Sequence, residues 1–518
     1  MQLGRFSVDN AAPLVSIGRR PKFLIEVPEQ GLCHGCGGCS GACPTDAITM
    51  RPTPQGTLAP EITLDLCTNC GLCFSVCPGH SFDMPYFHGK LYGAPPPHPE
   101  VGHYREIYAG YAADPAIQWA GQSGGVISAL LIDLLERGEI QGAVVTRAHP
   151  SDPTKAETFI ARNRADILSC VGSKYGPVSA AEGIGLIRKE KGRFVFVGVS
   201  CQIHAFRKAS EFSKTLAPKI YAYFGLHCKG IYSTHFFDFL LARYGLKPSD
   251  VKSFNLRSKE WRGWPADLRI ETHAGKTIDL SGGLSRTGPR DYFAQMRCLT
   301  CTDKLNEFSD ISFGDCRVPW VYDKKTLHEA EGGGNPGQSD IVVRSEAGSR
   351  IMASAIERGI LVTKAMDWRD IVVSTKPSEK KLAINNLRLL SRPLNFSIPD
   401  YGVVYAPKTP REKKLFRLLQ LPTLVSSATF VLFWKYAHRS WVRRLYRLLP
   451  LRYIHLAGGV RRRLTNYRQA NLAELEASYR AAGEMKVLPG TCHPLAGKKK
   501  TRSAGLTEGS ACAATLNE

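Results

Sequence analysis

The sequence contains no Walker loop, no G-x-G-x-x-G after a strand and no H-E-x-x-H. It therefore offers no nucleotide P-loop, no usual dinucleotide fingerprint and no zinc-protease helix. The opening MQLGRFSVDNAAPLVSIGRR has no apolar run of the kind a secretory leader needs, so a cytoplasmic protein is expected. Long apolar runs are missing as well. The uncharged stretch LLQLPTLVSSATFVLFW, 418–434, is 17 residues long and includes Gln420 and Pro422. That falls short of the ~20 mostly apolar residues of a spanning helix. Nothing resembles a nucleic-acid recognition module, and no nucleic-acid partner is expected.

Cysteine and basic charge are both plentiful. The 518 residues, with 43% hydrophobic content, allow a sizeable core and more than one domain. Sixteen cysteines without an export signal point to metal binding or redox chemistry rather than to a disulfide framework. The net charge of +22 is uneven: 409–518 holds 20 Lys+Arg against 6 Asp+Glu, a net +14, leaving +8 for the first 408 residues. Within 411–463 the Arg residues are interleaved with Trp, Tyr and Leu. That pattern suits an interfacial segment on an anionic membrane, peripheral on its inner face; a solvated basic helix is the plainer reading.

Cys33-x2-Cys36-x2-Cys39-x3-Cys43-Pro44 recurs as Cys67-x2-Cys70-x2-Cys73-x3-Cys77-Pro78. Two such runs form the bacterial two-cluster ferredoxin pattern, in which the fourth cysteine of each run ligates the other cluster. Cys33, Cys36, Cys39 and Cys77 are thus expected on one 4Fe–4S cluster, and Cys43, Cys67, Cys70 and Cys73 on a second. Gly35, Gly37, Gly38 and Gly71 leave room for backbone N–H groups to reach the sulfurs. Zinc sites use two C-x2-C pairs, not two four-cysteine runs each closed by proline.

The composition divides the chain into a lead-in at 1–30, an α+β ferredoxin-like di-cluster domain at 31–90 and a Pro/Gly linker at 91–103. A larger α/β domain follows at 104–405, then a basic, partly helical amphipathic extension at 406–489 and a tail at 490–518 expected to be disordered. Two apolar runs, RFVFVGV (193–199) and KIYAYFGL (219–226), read as buried strands, each followed within two residues by a cysteine, Cys201 and Cys228. If the strands are parallel, both thiols emerge at the carboxyl edge, where open α/β sheets place ligands. With the C-x2-C pair Cys298 and Cys301 they make four ligands for a third 4Fe–4S cluster. Cys316 is the competing ligand, while Cys170, Cys492 and Cys512 have no partner pattern. Gln122-Ser123-Gly124-Gly125 opens an amphipathic helix near Val126, a place for a cofactor phosphate or simply a helix cap. Gly172-Ser173-Lys174-Tyr175-Gly176-Pro177 is a second glycine-bearing turn, and 331–338 (EGGGNPGQ) reads as a flexible loop.

AGQSGGVISALL, GSKYGP, GVSCQIHAF, GLHCKG, RSKEWRGW and CLTCTDKLNEFSDISFGD together resemble the family of coenzyme F420 hydrogenase/dehydrogenase beta subunits over roughly 104–405. The resemblance implies a flavin-binding α/β domain and an FAD-containing iron–sulfur oxidoreductase exchanging electrons with an organic substrate. Its main implication is a reductase supplied by a ferredoxin-type donor. The alternative is an electron-relay subunit of a hydrogenase or dehydrogenase acting on coenzyme F420. By motif position, flavin contacts fall on Ser123, Gly124, Gly125, Ser173, Lys174 and Tyr175, and third-cluster ligands on Cys201, Cys228, Cys298 and Cys301. The family's Pro before the first of these cysteines is Ser200 here, and its Cys-His-Gly is Cys228-Lys229-Gly230 with His227 on the other side. Tyr175, His204 and His227 are the candidate proton donors.

Overall fold

A computed structural model describes residues 22–281, 293–318, 334–403 and Arg439. The extension at 406–489 (Arg439 apart), with its 411–463 membrane segment, the tail at 490–518, Cys492, Cys512 and the first part of the 331–338 loop lie outside the described residues. No helix among those described is long and apolar enough to cross a membrane.

The first unit carries a single hairpin, β1 (Ile48–Pro52) antiparallel to β2 (Leu58–Ile62). Two short helices, Gly38–Ala42 and Leu72–Ser75, each begin after a left-handed glycine, Gly37 (φ 83°) and Gly71 (φ 70°). A longer helix, Met84–Tyr92, leaves the unit. The Asp83 carboxylate caps it by accepting from the Tyr86 N–H at 3.0 Å, and left-handed Gly93 stops it.

The larger domain is built on an eight-stranded mixed sheet in the order β13-β3-β12-β11-β7-β6-β4-β5. Its strands are β3 (Glu106–Ala112), β4 (Gly142–His149), β5 (Asp152–Ala161), β6 (Phe194–Val199), β7 (Ile220–Leu226), β11 (Ile311–Asp315), β12 (Ser339–Val343) and β13 (Leu361–Ala365). The four central strands, β11, β7, β6 and β4, run parallel, and antiparallel strands close both sides. A three-stranded antiparallel sheet, β8 (Val251–Ser258), β9 (Asp267–Thr272) and β10 (Thr277–Leu280), stands apart.

The period of two along the central strands divides the core into two layers. Phe194, Phe196, Val144 and Tyr223 face one side, where they join Phe206, Ile184 and, from the first unit, Cys36, Phe82, Met84 and Phe87. Val195, Val145, Ala222 and Phe224 face the other, against the helices Val126–Glu136 and Glu346–Glu357. The first unit is therefore seated on one face of the sheet. Two segments differ from their reading as a lead-in and a linker. Leu24 and Val27, in and beside the short helix Glu26–Glu29, are buried against Cys39, Cys43 and Cys77. Val101, in the Pro/Gly stretch, is fully buried with Leu305 and Val342. Proline and glycine set the turns there, and the apolar residues between them are pinned into the junction.

Candidate functional site

Cys33, Cys36, Cys39 and Cys77 line one pocket, walled also by Leu24, Val27, His34 and Pro78. Burial, with Cys77 as the next cause, pushes the Cys33 thiol up to about 12, and the same two causes raise Cys36 and Cys39. Thiols that resist ionising in the bare protein are what the positive irons of a cluster would compensate. The Gly35 N–H donates to Cys33 Sγ and the Gly79 N–H to Cys77 Sγ, both at 3.3 Å, the sulfur contacts expected of cluster thiolates. Burial raises the Cys73 thiol, and the charges of Cys70, Cys43 and Cys67 add to it. Among the described residues no three His, Cys, Asp or Glu side chains crowd around a point as the ligands of one metal ion do. A four-iron cube, one thiolate to each iron, asks for a wider cage.

The third group is assembled by the sheet. β6 and β7 are parallel neighbours, with Val199 opposite Leu226. Cys201 lies in the first turn of the helix Ser200–Phe212 and Cys228 two residues past β7, so both stand at one carboxyl edge. The turn carrying Cys298 and Cys301 is fastened to that edge. The Asn306 side-chain amide donates to the Gly198 carbonyl at 2.9 Å and reaches the Leu226 carbonyl at 3.4 Å. The Cys228 N–H donates to the Lys304 carbonyl at 2.9 Å, and the Ser200 hydroxyl to the Asp303 carbonyl at 2.9 Å. Gly225 must be glycine, because a Cβ there would stand 2.5 Å from the Asn306 Cγ. Burial raises Cys201, and the charges of Cys36, Cys298, Cys228 and Cys301 add to it. Cys36 lies in the buried cluster against which Cys201 packs, so the first and third thiol groups meet there.

Cys316, the competing ligand, is elsewhere: fully buried, it is raised by burial and then by Asp340, with no other cysteine among the causes. β11 brings it to the same carboxyl edge one strand further along, where it packs with Ala109 and Val318. Cys170 donates to the Asp166 carbonyl at 3.3 Å as a helix-end thiol. His204 is stacked on Phe82 at 3.8 Å and hydrogen-bonded to Asp303 at 2.9 Å, which makes it a pin for the 301–306 turn. His227, pushed down to about 3 by burial and then by Arg344, is no acid at neutral pH.

The residues assigned to a flavin also gather. The Gln122 side chain accepts from the Ser173 N–H at 2.8 Å and donates to the Arg257 carbonyl at 2.8 Å. Arg257 pairs with Asp315 at 2.9 Å, while the Ser123 hydroxyl donates to Asp315. Burial opposes ionisation of Asp315, but Arg257 and Arg317 outweigh it and hold the carboxyl far below the usual range. Asp340, pushed up to about 7 by burial and by neighbouring Asp315, is its counterpart. Lys174 donates to the Cys170, Val171 and Gly172 carbonyls at 2.7, 2.7 and 2.9 Å, and so caps a helix end. Gly124 packs on β3, where a Cβ would stand 2.5 Å from the Gly110 carbonyl, so close packing explains that glycine. Left-handed Gly172 instead faces an open gap, with Gln122 Oε1 and Asn255 Oδ1 3.9 and 4.0 Å from where its Cβ would stand. This cradle at the N-terminus of the helix Val126–Glu136, which has no side-chain cap, fits a bound cofactor.

Three family models match the chain: a 4Fe-4S dicluster domain at 32–80, and the N-terminal (107–184) and C-terminal (191–368) parts of the coenzyme F420 hydrogenase/dehydrogenase beta subunit. The chain belongs to the family of coenzyme F420 hydrogenase/dehydrogenase beta subunits. It is an iron–sulfur oxidoreductase of that family. It is 25% identical to the beta subunit of the coenzyme F420 hydrogenase of Methanothermobacter thermautotrophicus, over 52% of this chain and 86% of the relative. It is 24% identical to one of the subunits of the F420H2 dehydrogenase of Methanosarcina mazei, over 58% of this chain and 80% of the relative. It is 25% identical to the coenzyme F420-dependent sulfite reductase of Methanocaldococcus jannaschii, over 73% of this chain and 54% of the relative.

In this family member several site residues have no cysteine-like signal in the sequence. Asn306 and Asp303 lie inside the CLTCTDKLNEFSD segment, and their polar side chains next to a C-x2-C pair were the available clue. Arg257 and Lys259 lie in RSKEWRGW, where two cations at a strand end marked a buried polar site. Lys380, half-buried with its ammonium donating to the Cys228 carbonyl, carries no motif at all.

Proposed function

We propose that this chain is the electron-relay subunit of a hydrogenase or dehydrogenase assembly, passing electrons through three 4Fe–4S clusters and an FAD to or from coenzyme F420. The observation that carries this reading is that Cys36 and Cys201 pack in one buried cluster, which supports a path from the first thiol group to the carboxyl edge of the sheet. The named relatives support the relay reading over a stand-alone reductase fed by a ferredoxin.

Cys33, Cys36, Cys39 and Cys77 would hold the first cluster, Cys43, Cys67, Cys70 and Cys73 the second, and Cys201, Cys228, Cys298 and Cys301 the third. Ser123, Gly124, Gly125, Ser173, Lys174 and Tyr175 would border the flavin. When bound, clusters supply one-electron transfer and a flavin the exchange between single electrons and a two-electron substrate. The chain's own residues position and insulate. Asn306, Asp303 and Ser200 hold the third thiol group at the strand ends. Arg257 fixes Asp315 as a permanent anion beside the cradle, and Asp340, next to it, is placed to hold or release a proton near neutral pH. Cys67 and Cys70 are exposed, which makes the second site the natural port for a protein partner.

Anaerobically purified protein should contain roughly twelve iron atoms, from three four-iron cubes. Cys298→Ala should lose about a third of them while keeping the fold. An unchanged iron count in that variant refutes the ligand set. Reduction of coenzyme F420 that requires a second subunit supports the relay role, and F420 left unreduced by any cluster-loaded assembly overturns it.

A further inference from the structure

Arg297 is 1% exposed, and none of its hydrogen-bond partners among the described residues is a carboxylate. Its guanidinium donates to the Gly79 carbonyl at 2.9 Å and the Pro78 carbonyl at 3.2 Å, the two residues that follow Cys77. On its other side it donates to Thr300 Oγ1 at 3.1 Å, between Cys298 and Cys301, and to the Tyr401 hydroxyl at 2.9 Å. One cation thus clamps the last arm of the first thiol group to the turn of the third. Its charge is felt by Cys33 on one side and by Cys301 and Cys201 on the other. A buried cation without a counter-ion costs several kcal/mol unless something anionic stands nearby. Four thiolates around an iron–sulfide core leave the assembled site anionic, and more so once reduced. Lys380 differs: its ammonium donates to the Cys228 carbonyl at 3.2 Å, and Cys301, Cys228 and Cys298 are the thiols that act on it. The thiols that act on it are those of the third group.

We propose that Arg297 is the shared countercharge of the first and third clusters, holding both reduction potentials up together, with Lys380 trimming the third cluster separately. This rests on the three-cluster reading above. One electron moves between the sites, and no bond forms or breaks. The shared cation stabilises the electron on either side of the junction, so transfer across it is kept near balance while both sites stay easier to reduce.

The test is a reductive titration of the anaerobic holoprotein followed by electron paramagnetic resonance, with iron counted on the same samples. In Arg297→Gln the first and third couples should both become at least tenfold harder to reduce, a fall of 59 mV for a one-electron couple, with the second site unmoved. Arg297→Lys, which keeps the charge, should recover most of the shift. Lys380→Met should move the third couple only, and this variant decides the matter if Arg297→Gln fails to hold iron: equal movement of the first and third couples there overturns the division of roles. Arg297→Gln with its full iron and unmoved potentials overturns the sharing alone. Eight irons in the wild-type protein overturn the third site, and the sharing with it.

Discussion

The two cysteine runs of the first unit have identical spacing and opposite surroundings. Gly37 and Gly71 hold equivalent places, each left-handed at the start of a short helix. A Cβ on Gly37 would meet Ser179 Cβ at 2.7 Å and Glu182 Cγ at 2.8 Å, whereas one on Gly71 would meet nothing within 4 Å. Cys36 and Cys39 are buried, while Cys67 and Cys70 are exposed, with Leu64 and Leu66 exposed beside them at 79% and 51%. The repeat is thus a symmetric motif used asymmetrically. One copy is seated on the sheet, and the other is left at the surface. Solvent exposure and nearby charge both set cluster potential, so equal ligand sets here need not have equal potentials.

The largest effect should come from the junction that seats the first copy. Glu307 is 1% exposed, paired with Lys381 at 2.5 Å and with His88, from the helix Met84–Tyr92, at 3.5 Å. Burial alone would raise its carboxyl, but Lys381 and His88 overcome that and hold it well below its ordinary 4.5. A depressed folded pKa contributes stability that is present above the unfolded value and lost as pH falls. The wild-type protein should therefore weaken progressively below about pH 4.5. Glu307→Gln should cost about 3–5 kcal/mol at neutral pH, by leaving Lys381 buried without its anion, and should flatten that acid limb. Denaturant unfolding at pH 7 and pH 4 measures both. The exposed Arg51–Glu61 pair on the β1–β2 hairpin, with side chains 63% and 65% exposed, sets the opposite limit, worth at most about 1 kcal/mol.

Next in size is Gly37→Ala, at about 3 kcal/mol. The left-handed backbone costs an L-residue about 1–2 kcal/mol, and the collision with Ser179 and Glu182 adds an overpacking cost. Loss of iron from the first and third sites together should accompany it, because the same displacement pushes the Cys36 loop away from the helix that bears Cys201.

What was legible in the sequence follows a physical divide. The cysteine runs could be read because cluster ligation imposes spacing within one loop, and the strands before Cys201 and Cys228 because buried parallel strands are continuous apolar runs. Their parallel pairing could be anticipated. The role of Leu24 and Val101 in the junction was hidden, because isolated apolar residues among prolines and glycines have no period to betray burial. Arg297 and Lys380 were hidden for another reason. A cation that serves a cluster has no motif of its own, and its partners are set by the way two distant segments dock.

Gly71→Ala is the smallest effect and the sharpest test of the comparison. It carries the same left-handed penalty as Gly37→Ala, with φ near 70°, but nothing stands within 4 Å of the new methyl group. Only the backbone cost remains, about 1 kcal/mol. The difference between the two alanine variants therefore isolates the contribution of docking the first copy on the sheet. Iron in Gly71→Ala should stay complete, and any local loosening should show as faster removal of about four irons by a chelator from the exposed second site, with the other eight unaffected. Equal destabilisation by Gly37→Ala and Gly71→Ala would mean that the first copy is no more firmly seated than the second. The asymmetry between the buried copy and the exposed one would then have no energetic basis.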